Sequence, residues 1–520
     1  MINPINPNTS IQKIKSMKSN LKTLSAGALV LAALNQVQAQ YAPPPPPTPF
    51  AGFLNEYLRK NDPYMSQWDF GGNLRLRYED KQGFAIPGLA GSLDFRDHGA
   101  DVNNYYALLR IRFHAGYTDK WWNAYAEGQS SVADNDQRFA YANAPAVPGT
   151  AAKRGYGHES DTVDLHQGYV MIGNHKEFPL SLKVGRQEMI YGEERLIGAF
   201  GWNNIGRAFD AAKLRWQNAW FGADFFTSHP VIPEDGVFDV DNDHDWFSGV
   251  YATSTKIPAT ILDVYFLSRN ASPQAINDVP NPQFPQPSAR DIYTIGGRLK
   301  SKPGELGSWD YSLEGAYQFG NYSDLRLPAG TPRLTQDAYM FVAQGGYTFT
   351  DWWATPRLGA EFSYSSGDSN PNDGTHGTFD NLFPTNHKFY GYMDFISLQN
   401  IQDVRSIFQL KPTTRLSVAI EGHGFWLANT HDNFYNVGGA PRGGIAATPT
   451  GNGYGINPGY SDFVGTELDV IAGYAVTRFA QLEAGYGHFF TGDYIRQSLG
   501  NPAFGSKDAN YVYLQATINF

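Results

Sequence analysis

The sequence predicts an all-β fold: a transmembrane, up-and-down antiparallel β-barrel of about eighteen strands, with long extracellular loops and short periplasmic turns. Three observations carry this. The 520 residues combine 15% aromatics, 54 glycines and 17% charged residues with a mean hydropathy of −0.41. Past residue 40 the chain holds nothing near the ~18 consecutive apolar residues of a spanning helix. From Trp68 onward, apolar and polar residues alternate with period two over segments of about ten residues or more, the length a tilted spanning strand needs.

The N-terminus fixes the compartment. Residues 1–39 carry Lys13, Lys15, Lys18 and Lys22 and no acid, then the apolar LSAGALVLAAL (24–34), then Val37-Gln38-Ala39. That order is a secretory signal peptide, cleaved after Ala39, with Met17 as an alternative start. Its removal takes the chain from a net charge of −10 to 36 basic against 50 acidic residues, a net −14. Residues 40–67 form a periplasmic leader: YAPPPPPTP (41–49) is a polyproline spacer, and FLNEYLRK (53–60) predicts a short amphipathic helix. The barrel then occupies 68–520, in the outer membrane of a Gram-negative bacterium. The absence of cysteine excludes thiolate metal sites, disulfides and a lipoprotein anchor. The acidic balance excludes nucleic acid as a partner.

Strand centres fall near 73, 111, 126, 168, 183, 212, 224, 250, 264, 296, 314, 342, 361, 405, 420, 469, 484 and 515. Short connections such as TDK (118–120), NA (218–219), PTT (412–414) and VTR (476–478) alternate with long ones such as 133–160, 189–206, 366–399 and 428–461. Such alternation is what a barrel with both termini in the periplasm requires; sixteen strands is the alternative count. Trp121, Trp122, Trp220, Trp309, Trp352, Trp353 and Phe479 sit beside short turns, where an interfacial aromatic girdle belongs.

The phase opposite to the apolar face lines the lumen. It carries thirteen cations, Arg75, Arg77, Arg110, Arg112, Lys183, Lys213, Arg215, Arg269, Arg298, Lys300, Arg357, Arg405 and Arg415, and thirteen acids, including Glu361, Glu421, Glu467, Asp469 and Glu483. A wet lumen tolerates such charge where a dry core does not. Arg75, Arg77, Arg110 and Arg112 on the first two strands, and Lys183, Lys213 and Arg215 on the fifth and sixth, form cationic strips that favour anions. Acids concentrate on strands sixteen and seventeen. The competing expectation is that the charges cross-pair and stiffen the barrel.

In LKVGRQEMIYGEERLIGAFGWNNIGRAFDAAKLRW (182–216), the phase of Leu180, Leu182 and Val184 would aim Arg186 into lipid, so a bulge or strand end must lie near Gly185. Arg186, Glu188, Glu193, Glu194, Arg195, Arg207 and Asp210, interleaved with Tyr191, Trp202 and Phe209, suit a loop packed into the lumen as a constriction. The stretch Gly185-Arg186-Gln187-Glu188, Tyr191-Gly192, Arg195-Leu196-Ile197-Gly198, Trp202, Asn204, Arg207, Phe209-Asp210 resembles the alginate-export family of outer-membrane barrels. Glu467, Asp469, Tyr474, Gly485-Tyr486-Gly487, Phe489-Phe490 and Gly492 extend the likeness, and terminal Phe520 resembles the last residue of many such barrels. The resemblance implies an eighteen-stranded channel passing an anionic polyuronate outward, with Arg186, Arg195 and Arg207 as polymer-contacting positions. The balanced lumen departs from it, since a dedicated polyanion pore needs fewer acids.

No G-x-S-x-G, H-E-x-x-H or G-x-x-x-x-G-K-[ST] occurs, and no enzymatic activity is expected; a rim site using His98, His158 or His166 is the minor reading. No resident cofactor is expected either. DVDNDHD (239–245) brings Asp239, Asp241, Asp243 and Asp245 together as a weak calcium site, or as a contact to cation-bridged lipopolysaccharide, though it lacks the glycine and glutamate of a calcium loop. The expected partners are an anionic polysaccharide or small solutes, outer-membrane lipid and lipopolysaccharide, and periplasmic export machinery. An uptake porin for small solutes is the alternative function.

Overall fold

The computed structural model describes residues 52–84, 93–136, 159–174, 176–272, 289–324, 331–442, 453–500 and 504–520. The signal peptide, the polyproline segment and His158 lie outside them. Eighteen strands follow: β1 Trp68–Gln82, β2 Asn104–Thr118, β3 Trp122–Asp134, β4 Asp161–Gly173, β5 Leu180–Gln187, β6 Phe209–Gln217. Next come β7 Gly222–Ile232, β8 Asp245–Ser254, β9 Thr260–Ala271, β10 Arg290–Ser301, β11 Trp309–Tyr322 and β12 Leu334–Thr348. The series ends with β13 Arg357–Ser365, β14 Ile401–Leu410, β15 Leu416–Leu427, β16 Phe463–Ala475, β17 Ala480–Thr491 and β18 Ala509–Asn519. Every predicted centre falls inside its strand, and the count is eighteen rather than sixteen.

Each strand pairs antiparallel with the next. Pairing of β1 with β18, from Asn73 opposite Asn519 to Gln82 opposite Asn510, closes the sheet. Closure satisfies every strand edge, the condition for β structure in hydrocarbon. No helix among the described residues is long and apolar enough to cross a membrane; the strands cross it. On β1, Leu76 is 53% exposed while its neighbour Arg77 is fully buried, the reverse of a soluble protein. Ile111, Phe113, Val184, Phe266 and Leu514 continue the outward apolar belt, and Trp220, Trp309, Trp352 and Trp353 stand exposed beside the turns.

Arg415 corrects the sequence expectation. It is exposed in the turn 411–415 rather than on the inner wall. The Thr413 hydroxyl accepts from the backbone N–H of both Arg415 (3.2 Å) and Leu416 (3.0 Å), a local turn that delays the strand to Leu416.

At the periplasmic end, helix α1 (Phe53–Asn61) sits on the seam of the barrel. The Phe53 ring meets Phe479 at 6.1 Å and Phe520 at 6.4 Å, Asn55 accepts from Phe70 N–H at 2.7 Å, and Glu56 pairs with Arg478. Gly72 and Phe520 exchange two backbone hydrogen bonds of 3.0 Å; a Cβ on Gly72 would lie 2.4 Å from the Phe520 ring, so only glycine fits.

The outer half is filled from within. Loop L3 (188–208) and loop L7 (366–400) both turn inward and pair with each other: Gly198 N–H donates to Phe383 O (2.8 Å), Phe383 N–H to Leu196 O (2.9 Å), and Thr385 N–H to Glu194 O (2.9 Å). Their apolar side chains, among them Met189, Leu196, Ile197, Phe379, Phe383 and Phe395, join one cluster with inward residues of the wall such as Phe226, Phe247 and Phe425.

Candidate functional site

L3 is tethered to opposite walls. At its start Glu188 accepts from Arg112 Nη1 (3.0 Å) and faces His166 Nε2 (2.7 Å). Burial alone would raise the Glu188 carboxyl, yet His166 and Arg112 hold it at about 2. In mid-loop, Glu193 accepts from Lys300 Nζ (2.8 Å) on β10 and Ser312 Oγ (2.7 Å) on β11. Against the push of burial, Lys300, Arg195 and Arg298 hold its carboxyl at about 2. Arg195 Nη2 donates to Glu361 on β13 at 2.5 Å and Nη1 to Tyr390 Oη of L7 at 3.2 Å, with the Phe389 ring 3.9 Å away. The end of L3 returns to the first strands. Arg77 Nη1 donates to Trp202 O (2.8 Å), Arg75 Nη1 to Gly201 O (2.8 Å), Arg110 Nη1 to Gly201 O (3.3 Å) and Gln129 to Ile205 O (2.9 Å).

Arg186 is turned inward by its neighbour. Gly185 has φ +125°, and β5 stays paired through Gln187, so the irregularity expected near Gly185 is a left-handed backbone residue inside the strand. Arg186 then grips Asp210 through Nε (2.9 Å) and Nη2 (3.0 Å). A Cβ on Gly185 would lie 2.2 Å from Gly168 O. Gly185→Ala should therefore cost at least the ~1–3 kcal/mol of backbone strain and lower the melting temperature of the folded barrel; an unchanged melting temperature would mean that the strand does not need this conformation.

The cations predicted to line the lumen fall into two groups. Most cross-pair: Arg77 with Glu79 (2.7 Å), Arg186 with Asp210, Arg195 with Glu361, Arg298 with Asp263 (2.5 Å), Arg357 with Asp310 (2.5 Å) and Arg405 with Glu421. Of the three positions the resemblance marks for polymer contact, Arg186 and Arg195 are thus engaged by carboxylates. Arg207 is not; it donates to Gly198 O (3.1 Å) and Pro384 O (2.9 Å), and burial followed by the nearby Arg269 lowers its pKa to about 10.

The second group is electrostatically unbalanced. Arg75 and Arg110 form no ion pair among the described residues and bond to loop carbonyls. On β5 and β6, Lys183 stands in register opposite Lys213, its ammonium 3.5 Å above the Tyr169 ring. Lys213 (3.6 Å) and Arg215 (2.9 Å) both turn to the single carboxylate of Asp224. These three side chains are part-exposed, unlike the buried Arg77–Glu79, Arg195–Glu361 and Arg298–Asp263 pairs. Nine strands further around the ring, β14 and β15 present Asp403, Glu421, Arg405 and His423.

L7 is the part of the site that charge patterning missed. Asp380 receives Arg269 (3.3 Å) and Arg290; burial raises its carboxyl, but Arg290 and Arg269 hold it at about 2. Glu467 and Asp469 on β16 accept backbone N–H groups of Met393 (2.9 Å) and Tyr392 (3.3 Å), so these acids hold L7 rather than line an open wall. The signal was present in FDNLFPTNHKFYGYMDFISL (379–398), which is too apolar for a solvated loop.

The four clustered aspartates disperse. Asp245 pairs with Arg269 (2.6 Å), Asp243 is exposed beside His244, Asp241 lies in a two-residue strand Val240–Asp241 on the end of β7, and Asp239 turns inward. Residues two apart would share one face of a continuous strand, but this strand ends at Asp241 and the chain turns through 242–244 before Asp245 opens β8, which separates the carboxylates. His98 and His166 are also apart: His98 contacts Asp97 on an exposed loop, and His166 is buried against Glu188.

A sequence model of the protein family described as Alginate export matches residues 66–503. The chain belongs to the alginate export family. Membership fits a closed eighteen-stranded wall, and this family member is an outer-membrane channel. Among solved structures, the Pseudomonas aeruginosa outer membrane protein opdK is similar over 87% of this chain and 98% of its own, at 11% identity and a TM-score of 0.51. Pseudomonas aeruginosa OccK2 (OpdF) in complex with glucuronate aligns over 87% and 98%, at 10% identity and 0.49. Acinetobacter baumannii OccAB4 aligns over 88% and 99%, at 10% identity and 0.49. At 11% identity the likeness to opdK is one of fold. No curated protein matches the chain.

Proposed function

We propose that this family member passes an anionic polyuronate outward, and that the cations of β5 and β6 are its contact strip. The observation that supports this is the shortage of carboxylates there: Lys183, Lys213 and Arg215 have Asp224 among them, and all three are part-exposed on the lumen side. A surplus of positive charge in a narrow, partly desolvated passage attracts anions, and repetition along a polymer multiplies each weak contact. Arg207, Arg75 and Arg110 also bond to loop carbonyls instead of acids, which leaves further positive charge uncompensated inside the barrel. The chain supplies selectivity; the driving force comes from the gradient and from synthesis.

Purified protein in a planar bilayer tests this. The expected result is an anion-selective current that falls on addition of polyuronate to the periplasmic side. Cation selectivity with no block overturns it. A second reading, uptake of small anionic solutes, draws on the L3–L7 strap across the lumen, which suits small cargo. Block by the uronate monomer at the same monomer concentration as the polymer would favour it.

A further inference from the structure

Three carboxylates meet at the outer rim, away from the cationic strip. Asp161 opens β4, Asp164 lies three residues further along it, and Asp239 comes from loop L4 (233–244); one oxygen from each lies within 4.8 Å of the others. All three are buried. They border a cavity of about 20 Å³, room for one ion or one water, since a water needs roughly 10–15 Å³ on the same measure.

Acids that crowd together are common, so the partners decide. Asp239 Oδ1 accepts from Glu234 N–H (2.7 Å), and both Asp164 oxygens receive backbone N–H groups, from Leu165 and Asp239. Asp161 differs. It is 1% exposed, borders the cavity, and its Oδ1 receives no hydrogen bond among the described residues. A buried carboxylate oxygen left so is costly unless something outside the protein completes it. Arg186 does not supply the missing charge. Its Nε and Nη2 are taken by Asp210, its Nη2 also bonds Asp239 O (3.0 Å), and Nη1 donates to Leu165 O (3.4 Å) and lies 3.6 Å from Asp164; none of them reaches Asp161. Beside the cavity, His166 is committed to Glu188 (2.7 Å) and Gln129 to Ile205 O. Negative charge is left over.

We propose that Asp161, Asp164 and Asp239 hold one hard divalent cation, Ca²⁺ foremost, which braces L4 against the outer end of β4. The donor set is all oxygen, the preference of calcium over softer metals. No two ligands on one Ca²⁺ can lie farther apart than about 4.6–5.2 Å, given bonds of 2.3–2.6 Å, and the three oxygens fall inside that limit. Because Arg186 links the same cluster to Asp210 beside L3, the ion would also stiffen the foot of the strap.

The test uses the full-length protein in detergent, stripped with chelator and equilibrated at pH 8. Titration calorimetry with CaCl₂ alone, and separately with MgCl₂, should give one saturable Ca²⁺ per chain. Asp161→Asn and Asp239→Asn, each nearly isosteric, should lose at least tenfold in affinity, and exposed Asp243→Asn should lose nothing. Absence of saturable binding up to millimolar Ca²⁺, equal loss in D243N, or full retention in D161N and D239N overturns the proposal. A readout on the native chain covers variants that fail to fold: Ca²⁺ should slow cleavage of L4 after Glu234 by a glutamate-specific protease at least several-fold. Unchanged cleavage with Ca²⁺ present counts against the brace.

Discussion

Replacing Lys183 and Lys213 together with glutamate should turn an anion-preferring conductance into a cation-preferring one. The two ammonium groups face each other in register on β5 and β6, one over the Tyr169 ring and the other 3.6 Å from Asp224. The exchange moves the local charge by four units at a place already containing Asp224. In a watery lumen each unit contributes about 1 kcal/mol to an ion at ~4 Å. Even partial additivity therefore exceeds the 1.4 kcal/mol that makes a tenfold permeability ratio. The reversal potential in asymmetric KCl measures it, and the effect should shrink at 1 M salt, where screening reaches only ~3 Å. Lys183→Gln with Lys213→Gln should give about half the shift. A reversal potential that does not move in the glutamate variant sinks the contact strip, whichever solute the channel carries.

The largest loss of stability is expected from Arg195→Ala. Arg195 is buried, bonds Glu361 and Tyr390, and stacks on Phe389, so it ties L3 both to the wall and to L7. Its removal strands Glu361 with Arg405 at 4.0 Å, and a buried charge that loses its partner costs about 3–5 kcal/mol. The expected outcome is a lower melting temperature together with a higher, noisier single-channel conductance as the strap loosens. Arg195→Met with Glu361→Met should recover most of the stability, because an apolar pair leaves no charge behind. Identical conductance and melting in R195A would show that the strap is held elsewhere. Acid should act on the same loop. Glu188 and Glu193 are held at about 2, below their usual 4.5, so their contribution is complete above pH 4.5 and lost as pH falls toward 2.

The wall was legible because each strand encodes its two faces locally, and every predicted centre fell inside its strand. The inward course of L3 was legible too, since Arg186 at the lipid phase forced an irregularity that Gly185 supplies. Pairing was not legible. Arg195 and Glu361 are 166 residues apart, and Lys300 and Glu193 are 107 apart, distances over which period two says nothing of neighbours. Counting thirteen cations against thirteen acids showed that cross-pairing was open but not which cations would be left over. Arg415 went astray because the alternation runs smoothly through a turn that a threonine hydroxyl ends. L7 was overlooked because length was read where apolarity carried the message, and the aspartates of 239–245 because adjacency in sequence is not convergence in space.

The seam also sets an order of events. Asn73 and Asn519 are 446 residues apart and bond at 2.7 Å, so the contact that closes the ring is nearly the most non-local the chain can make. Contacts of this kind are the slowest to form, since the intervening chain must be confined before they give anything back. Helix α1 touches Trp68 through Arg59, the β16–β17 turn through Phe479 and Arg478, and the last residue through Phe53. It can dock only when the first and last strands have already met. The helix is therefore a latch that fastens after assembly is finished, and its docking time-stamps the completed barrel.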